Sequence, residues 1–414
     1  MDRRRVVITG LGCITALSES VDELFTALCE GRSGVSTIES FDTGAYPVHF
    51  AGEIKNFDVT RYIDRREAKR MDRFSEFAVA AAIQAVKDSG LDFTKEDPYR
   101  AGAIVGTGIG GIKEIEEQHV RLLEKGPNKV SPFCVPRLMS NAASGNIAIQ
   151  FGLRGPSFAV SSACASGNHT IGEAFWNIAS GRSDIVVTGG SEAACTPIGL
   201  GSFCAARSLS TRNDSPQTAS RPFDRDRDGF VLAEGAGIVV LEEYEHARKR
   251  GARIYAELLG YAATDDGYHI TAPLPDGAGA AMAMKLALAD AKLNPDGVSY
   301  INAHGTSTEL NDIAESTAIR TVFGERAYKI PVSSTKSCLG HMLGATAAVE
   351  LIACIKAINH SLIPPTINLD NQDERCGLKM DYVPLKAREV AINTALSNSF
   401  GFGGHNACVI VGRI

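Results

Sequence analysis

The sequence predicts an α/β fold in which helices cover largely parallel strands. Three observations carry that expectation. Short apolar runs alternate with amphipathic helical stretches along the chain, glycine and alanine punctuate the joins, and the second half repeats the element order of the first.

In chain order, residues 4–10 read as a first strand, too short and too early broken by Gly10 to be a signal segment. Residues 21–30 form a helix with Leu24, Phe25 and Leu28 on one face. An alanine-rich helix follows over 77–89, then a buried strand over 101–106. Residues 157–160 are strand-like and lead into Cys164, and a helical pattern runs through 170–179. Further strands are expected over 183–190, 235–241 and 298–301, with helices from about Asp312 and over 347–358.

The repeat is one of order. Helix, loop, strand and Gly-Thr over 77–107 recur over 280–306, and residues 235–241 are echoed by 404–410. A charged stretch, 242–250, could join the halves, so the boundary is drawn between 1–252 and 253–414. Duplicated halves commonly place a site where they meet.

Composition narrows the function classes. With 44% hydrophobic and 22% charged residues, 414 residues are ample for a large core. A net charge of −6 argues against nucleic acid as the main partner. No apolar run reaches the ~20 residues a bilayer requires. The ten cysteines are scattered without a C-x-x-C pair, which argues for reduced thiols, a cytoplasmic location and no zinc site.

Four stretches carry candidate chemistry. Cys164 lies among small residues between a strand and a helix, where a helix N-terminus would favour the thiolate and lower its pKa. The plainer reading is a buried structural cysteine. Asn302-Ala303-His304-Gly305-Thr306-Ser307-Thr308 ends a strand and suits a loop lining a cleft, or simply a capping histidine. Lys336-Ser337-Cys338-Leu339-Gly340-His341 precedes an apolar helix holding Glu350. A lysine and a glutamate there are costly unless paired, and the pair could orient His341. Asn398-Ser399-Phe400-Gly401-Phe402-Gly403-Gly404 lets backbone N–H groups turn inward as half of an oxyanion hole. No Lys-Ser/Thr follows it, so it is not a phosphate loop. A thiol protease needs one histidine with an orienting Asn or Asp. Two histidines beside a lysine and a glutamate better suit stabilising an enolate.

On these motifs, with Ala163-Cys164-Ala165-Ser166-Gly167, the chain resembles the elongating β-ketoacyl-acyl carrier protein synthases of the thiolase superfamily, almost end to end. His405, where Thr is common, and Leu343 are small departures. The resemblance implies a five-layered α-β-α-β-α fold, a cytoplasmic homodimer and an acyltransferase of fatty acid biosynthesis. It implies no cofactor beyond the 4′-phosphopantetheine arm of acyl carrier protein. Cys164 would carry the acyl chain, His304 and His341 would serve decarboxylation, and Lys336 and Glu350 would support them. The N–H groups of Cys164 and Phe400 would form the oxyanion hole. Thr306, Thr308, Phe400, Phe402, Ile109 and Phe203 would contact substrate, with Phe400 as a gate. Arg66, Lys69, Arg70 and Arg207 would dock the acidic carrier. A discrete polyketide ketosynthase shares every motif, and a non-catalytic carrier-binding partner subunit is the rival from another class.

Overall fold

The structure is a computed structural model that describes residues 3–414; Met1 and Asp2 of the basic start lie outside the described residues. The first half contains β1 (Val6–Thr15), α1 (Val21–Cys29), α2 (Arg65–Ala68), α3 (Arg73–Ser89), β2 (Ala101–Gly106), α4 (Ile112–Lys125), β3 (Ser157–Phe158), α5 (Ser166–Ala179), β4 (Ile185–Glu192) and β5 (Gly235–Glu243). The short helix α6 (Tyr244–Lys249) fills most of the charged stretch expected to join the halves. Then come β6 (Ala256–Asp265), α7 (Ala278–Asp290), β7 (Tyr300–Asn302), α8 (Glu309–Phe323), β8 (Val332–Ser333), α9 (Thr346–His360), β9 (Thr394–Gly401) and β10 (His405–Gly412).

Strand order exposes the duplication. The ten-stranded sheet runs β8-β7-β9-β10-β6-β1-β5-β4-β2-β3. Outward from the β1–β6 junction, one arm reads β1-β5-β4-β2-β3 and the other β6-β10-β9-β7-β8, the same order shifted by five strands. The expectation of largely parallel strands needs one correction. In each arm the penultimate inner strand, β5 or β10, is antiparallel to both its neighbours, while the outer pairs are parallel. A long return after β4 and a tight hairpin after β9 each bring the chain back against the strand just left, which alternation alone does not reveal.

Helices complete five layers. α3 packs on β1, β4 and β5 of one arm, and α7 packs on β6 and β10 of the other with α8 beside it. Between the arms, α5 touches β4, β2 and β5 as well as β6 and β10, and α9 touches β5, β4, β9 and β10. Both middle helices are therefore buried on nearly every side. α9 is buried from Thr346 to Ile358, and each buried Leu or Ile there contributes roughly 1.5–3 kcal/mol. By length and composition Leu343–His360 could cross a membrane, but 89% of it is inside the fold, as befits a core helix.

Some boundaries moved. β1 continues past Gly10 and Gly12, which lie directly under the α3 backbone instead of ending the strand. α3 begins four residues earlier than the alanine run because Asp72 caps it, accepting from Phe74 N–H. The strand before Cys164 is only two residues and exposed. All ten cysteines are free thiols.

Candidate active site

Cys164 sits in the turn just before α5, the middle helix of the first half. The turn is tight: Ala163 takes a left-handed φ of +50°, uncommon for a residue with a Cβ. Ser166 ties it down. Its hydroxyl donates to Ala163 O at 2.7 Å and accepts from Ser162 N–H at 2.9 Å. His341 lies just before α9, the corresponding middle helix of the second half, and His304 follows β7. The fold's pseudo-symmetry thus delivers thiol and imidazole from equivalent ends of its two central helices.

Cys164 Sγ and a ring nitrogen from each of His304 and His341 lie within 4.8 Å of one another, all buried. The two imidazoles meet edge to face at 5.4 Å. His304 is held through its backbone: its N–H and that of Gly305 donate to the two oxygens of Glu315 at 2.8 Å each. Asn398 Nδ2 donates to the same carboxylate at 3.0 Å. His341 is held through its ring, with Nδ1 3.0 Å from Thr346 Oγ1. His304 Nδ1 and His341 Nε2 are both buried without a protein partner among the described residues.

Lys336 and Glu350 form the expected pair, Nζ to Oε1 at 2.7 Å, with side chains 1% and 0% exposed. Burial pushes the Glu350 carboxyl up to about 7 against the pull of the ammonium. Burial also holds both imidazoles well below the usual histidine value, assisted by Lys336, so each is neutral near pH 7. Three such donors could grip a metal ion, but the adjacent ammonium opposes a second cation there.

One electrostatic expectation is overturned. The thiol is pushed up to about 11, not down, because burial outweighs the help from Lys336 and from two backbone N–H groups, while Glu192 adds to the rise. Removal from water costs a thiolate more than the short turn ahead of α5 returns.

A second correction concerns the oxyanion hole. The backbone N–H groups facing the sulfur are those of Cys164 and Phe402, rather than Phe400. Phe400 lies within β9, its ring buried and 5.8 Å from His304. Phe402 lies beyond the strand end, 36% exposed, in the glycine-flanked turn to β10. The approach depends on Gly401, where a Cβ would stand 2.9 Å from Ser162 O and 3.0 Å from Cys164 N. Phe400, the expected gate, packs in the core while lining the cleft, and Phe402 lies on the exposed turn.

A 740 Å³ cleft opens over this cluster. Of the other expected substrate contacts, Thr306, Thr308, Ile109 and Phe203 all line it, as do Phe400 and Phe402. Thr306 and Thr308 share a hydroxyl hydrogen bond of 2.8 Å. Arg207 is exposed and lines the same cleft. Arg66, Lys69 and Arg70 are exposed on and just after α2 and do not line it. Arg70 is partly occupied by Glu67 at 3.3 Å. Sequence reasoning missed Glu315, Glu192 and Thr346. Glu315 could have been found, since it interrupts the face that carries Ala318 and Ile319 on α8 and is as costly there as Glu350 is on α9.

Comparison with known proteins places these residues in context. Residues 3–247 match the family described as beta-ketoacyl synthase, N-terminal domain, and 255–370 match the corresponding C-terminal domain. The chain is 50% identical over 406 residues to a 3-oxoacyl-[acyl-carrier-protein] synthase 2 of Synechocystis sp., covering 98% of this chain and 97% of that one. It is 49% identical to the protein of that name from Vibrio harveyi, with each chain covered completely. In structure it is similar to a type II polyketide ketosynthase solved with its acyl carrier protein and a hexaketide, at a TM-score of 0.93 and 36% identity over all of both chains.

Proposed function

The chain belongs to the beta-ketoacyl synthase family, and from that premise we propose that its Cys–His–His cluster elongates acyl chains by decarboxylative condensation. It is an acyltransferase of the 3-oxoacyl-[acyl-carrier-protein] synthase type, serving fatty acid synthesis. One observation carries the chemical reading: a buried thiol and two neutral imidazoles within 4.8 Å at the foot of a cleft.

The reaction has two halves. Cys164 Sγ attacks the thioester of an acyl carrier protein, and its proton leaves with the pantetheine sulfur. Malonyl carrier protein then enters. Its C–COO⁻ bond breaks, CO₂ departs, and the electron pair becomes an enolate whose oxygen receives N–H groups from His304 and His341. The enolate carbon attacks the Cys164 thioester. Backbone N–H groups of Cys164 and Phe402 hold the tetrahedral oxyanion, and collapse expels the sulfur. The product is a 3-oxoacyl carrier protein two carbons longer. Neutral imidazoles suit this role because each supplies one N–H while an imidazolium would cost more to bury. Lys336 and Glu350 set the local charge and touch neither carbon.

Thr306 and Thr308 bind the pantetheine arm, the only prosthetic group required, and it belongs to the carrier. Arg207 at the cleft and the exposed Arg66, Lys69 and Arg70 on and just after α2 attract the acidic carrier. The working form is a cytoplasmic homodimer, and each protomer divides near 252/253, between the two matched family segments. A discrete polyketide ketosynthase is the second reading, favoured by the likeness to the hexaketide enzyme, but identity is 50% to the synthase relatives against 36% there. The test is direct. Purified protein given acyl and malonyl carrier protein should release CO₂ and an equimolar 3-oxoacyl product extended by two carbons. No extended product from the wild type overturns the reading.

A further inference from the structure

Glu192, the last residue of β4, is fully buried and has no cation within salt-bridge distance among the described residues. It instead accepts four neutral hydrogen bonds. Oε1 accepts from the Thr107 hydroxyl at 2.9 Å and Ile109 N–H at 3.1 Å. Oε2 accepts from Gly108 N–H at 2.6 Å and Gly344 N–H at 3.1 Å. The Thr107 hydroxyl accepts from Gly110 N–H at 3.0 Å, so its own proton points to the carboxylate. All lone-pair directions of Glu192 meet donors and leave no place for a proton. Burial raises its pKa above the ordinary carboxyl value, against the pull of these four hydrogen bonds.

Those donors come from opposite halves of the fold. Residues 107–109 follow β2 in the first half, and Gly344 follows His341 in the second. Their backbones touch: a Cβ on Gly344 would stand 2.4 Å from Gly108 N. Ile109 and Leu343, the neighbours of these clamped peptides, both line the cleft beside Cys164. Leu343 takes a left-handed φ of +47°, which something must hold.

We infer that Glu192 is a positioning residue whose carboxylate bolts the Ile109 turn to the Leu343 turn and so sets the shape of the acyl-binding wall, and with it chain-length preference. This rests on the condensing function proposed above. The same fixed negative charge faces Cys164 and disfavours its thiolate. A structural carboxylate elsewhere in the core would do neither.

The experiment uses full-length protein with two variants. Glu192→Gln turns an amide NH₂ toward two N–H donors. Thr107→Val removes one donor at nearly constant volume and covers the case in which the first variant does not fold. The readouts are kcat/KM across a ladder of acyl primers and the pH midpoint for Cys164 alkylation by iodoacetamide. The expected result is a change of about tenfold in the long-to-short primer ratio, in either folded variant. In Glu192→Gln the alkylation midpoint should also fall by about one unit. An unchanged primer ratio in folded Thr107→Val and Glu192→Gln, with only the melting temperature lowered, overturns the inference. A wild type that extends no primer would instead remove the condensing function itself, so the two failures are distinct.

Discussion

Lys336 Nζ stands 2.7 Å from Glu350 Oε1 inside the molecule, the ammonium from the turn before His341 and the carboxylate from the middle of α9. The pair does two jobs. It neutralises a carboxylate in a helix buried from Thr346 to Ile358, and its positive end lies close enough to depress both imidazoles and draw on the thiol. Replacing Lys336 by Met leaves Glu350 without its cation. Breaking a buried pair on one side costs about 3–5 kcal/mol, so a fall of that size in denaturant unfolding is expected. Because the depressing charge is gone, the imidazole titrations followed by NMR should move upward in any fraction that stays folded. Unmoved imidazoles would place the ammonium's influence elsewhere.

Cys164 should alkylate as a thiol that resists ionisation. With its pKa pushed up to about 11, the thiolate fraction grows tenfold per pH unit through neutrality. Iodoacetamide modification of Cys164, followed by mass spectrometry, should therefore accelerate about tenfold from pH 7 to 8 and again to 9. A plateau near pH 7 would mean the resting sulfur is already ionised. Cys164→Ala should take up no radiolabelled acyl group and keep the fold.

His304→Ala and His341→Ala should each reduce CO₂ release by about 10²–10³ while transfer of the acyl group to Cys164 falls less. The split follows from geometry. The donors for acyl transfer are backbone N–H groups that neither substitution removes, whereas the enolate oxygen depends on the two imidazoles clustered with the thiol. Wild-type CO₂ release in both variants would reject the assignment.

How far these residues could be read beforehand differs by kind. Cys164, His304 and His341 stand in motifs, and the fold's duplication was legible as a repeated order of helix and strand. Phe400 and Phe402 share one motif two residues apart, and only the end of β9 at Gly401 separates the core ring from the exposed one. The thiol's pKa was misjudged because local sequence shows the helix start but not the burial contributed by elements more than two hundred residues away. Glu192 was invisible because all its partners lie on other loops. The two phenylalanines give a direct test. Phe400→Ala should cost about 3–5 kcal/mol of stability as a core truncation. Phe402→Ala, on an exposed turn, should cost under about 1 kcal/mol yet change the acyl-transfer rate. The reverse pattern would restore the gate to Phe400.

Folding stability should fall at alkaline pH through His246. Its Nδ1 lies 2.9 Å from Glu242 and its Nε2 3.0 Å from Glu96. The hydrogen bond to Glu242 chiefly, and that to Glu96, raise it to about 9. A histidine whose folded pKa exceeds its unfolded value binds its proton more tightly in the native state. Its stabilisation is then complete below about 6.5 and is lost as pH climbs through about 9. The magnitude is up to about 3 kcal/mol, from 1.36 kcal/mol per unit. His246→Ala should lower the melting temperature at pH 6 and flatten its decline to pH 10; an equally steep decline in the variant would assign the alkaline loss to other groups.

Carrier docking should separate from chemistry by the form of the substrate. Lys69 and Arg70 are exposed, outside the cleft, on an otherwise acidic protein. Reversing both charges to Glu should raise KM for acyl carrier protein by about tenfold or more, with kcat little changed, since a close charge pair contributes more than 1 kcal/mol at an interface. A short acyl-pantetheine analogue lacks the acidic surface and should show unchanged KM. Salt provides the internal control. Added to 0.5 M it should weaken wild-type binding of the carrier and lower the raised KM of the reversed variant, because screening weakens the attraction in one and the new repulsion in the other. Equal effects of the reversal on carrier and analogue would mean that α2 shapes the cleft from a distance and that the carrier docks elsewhere.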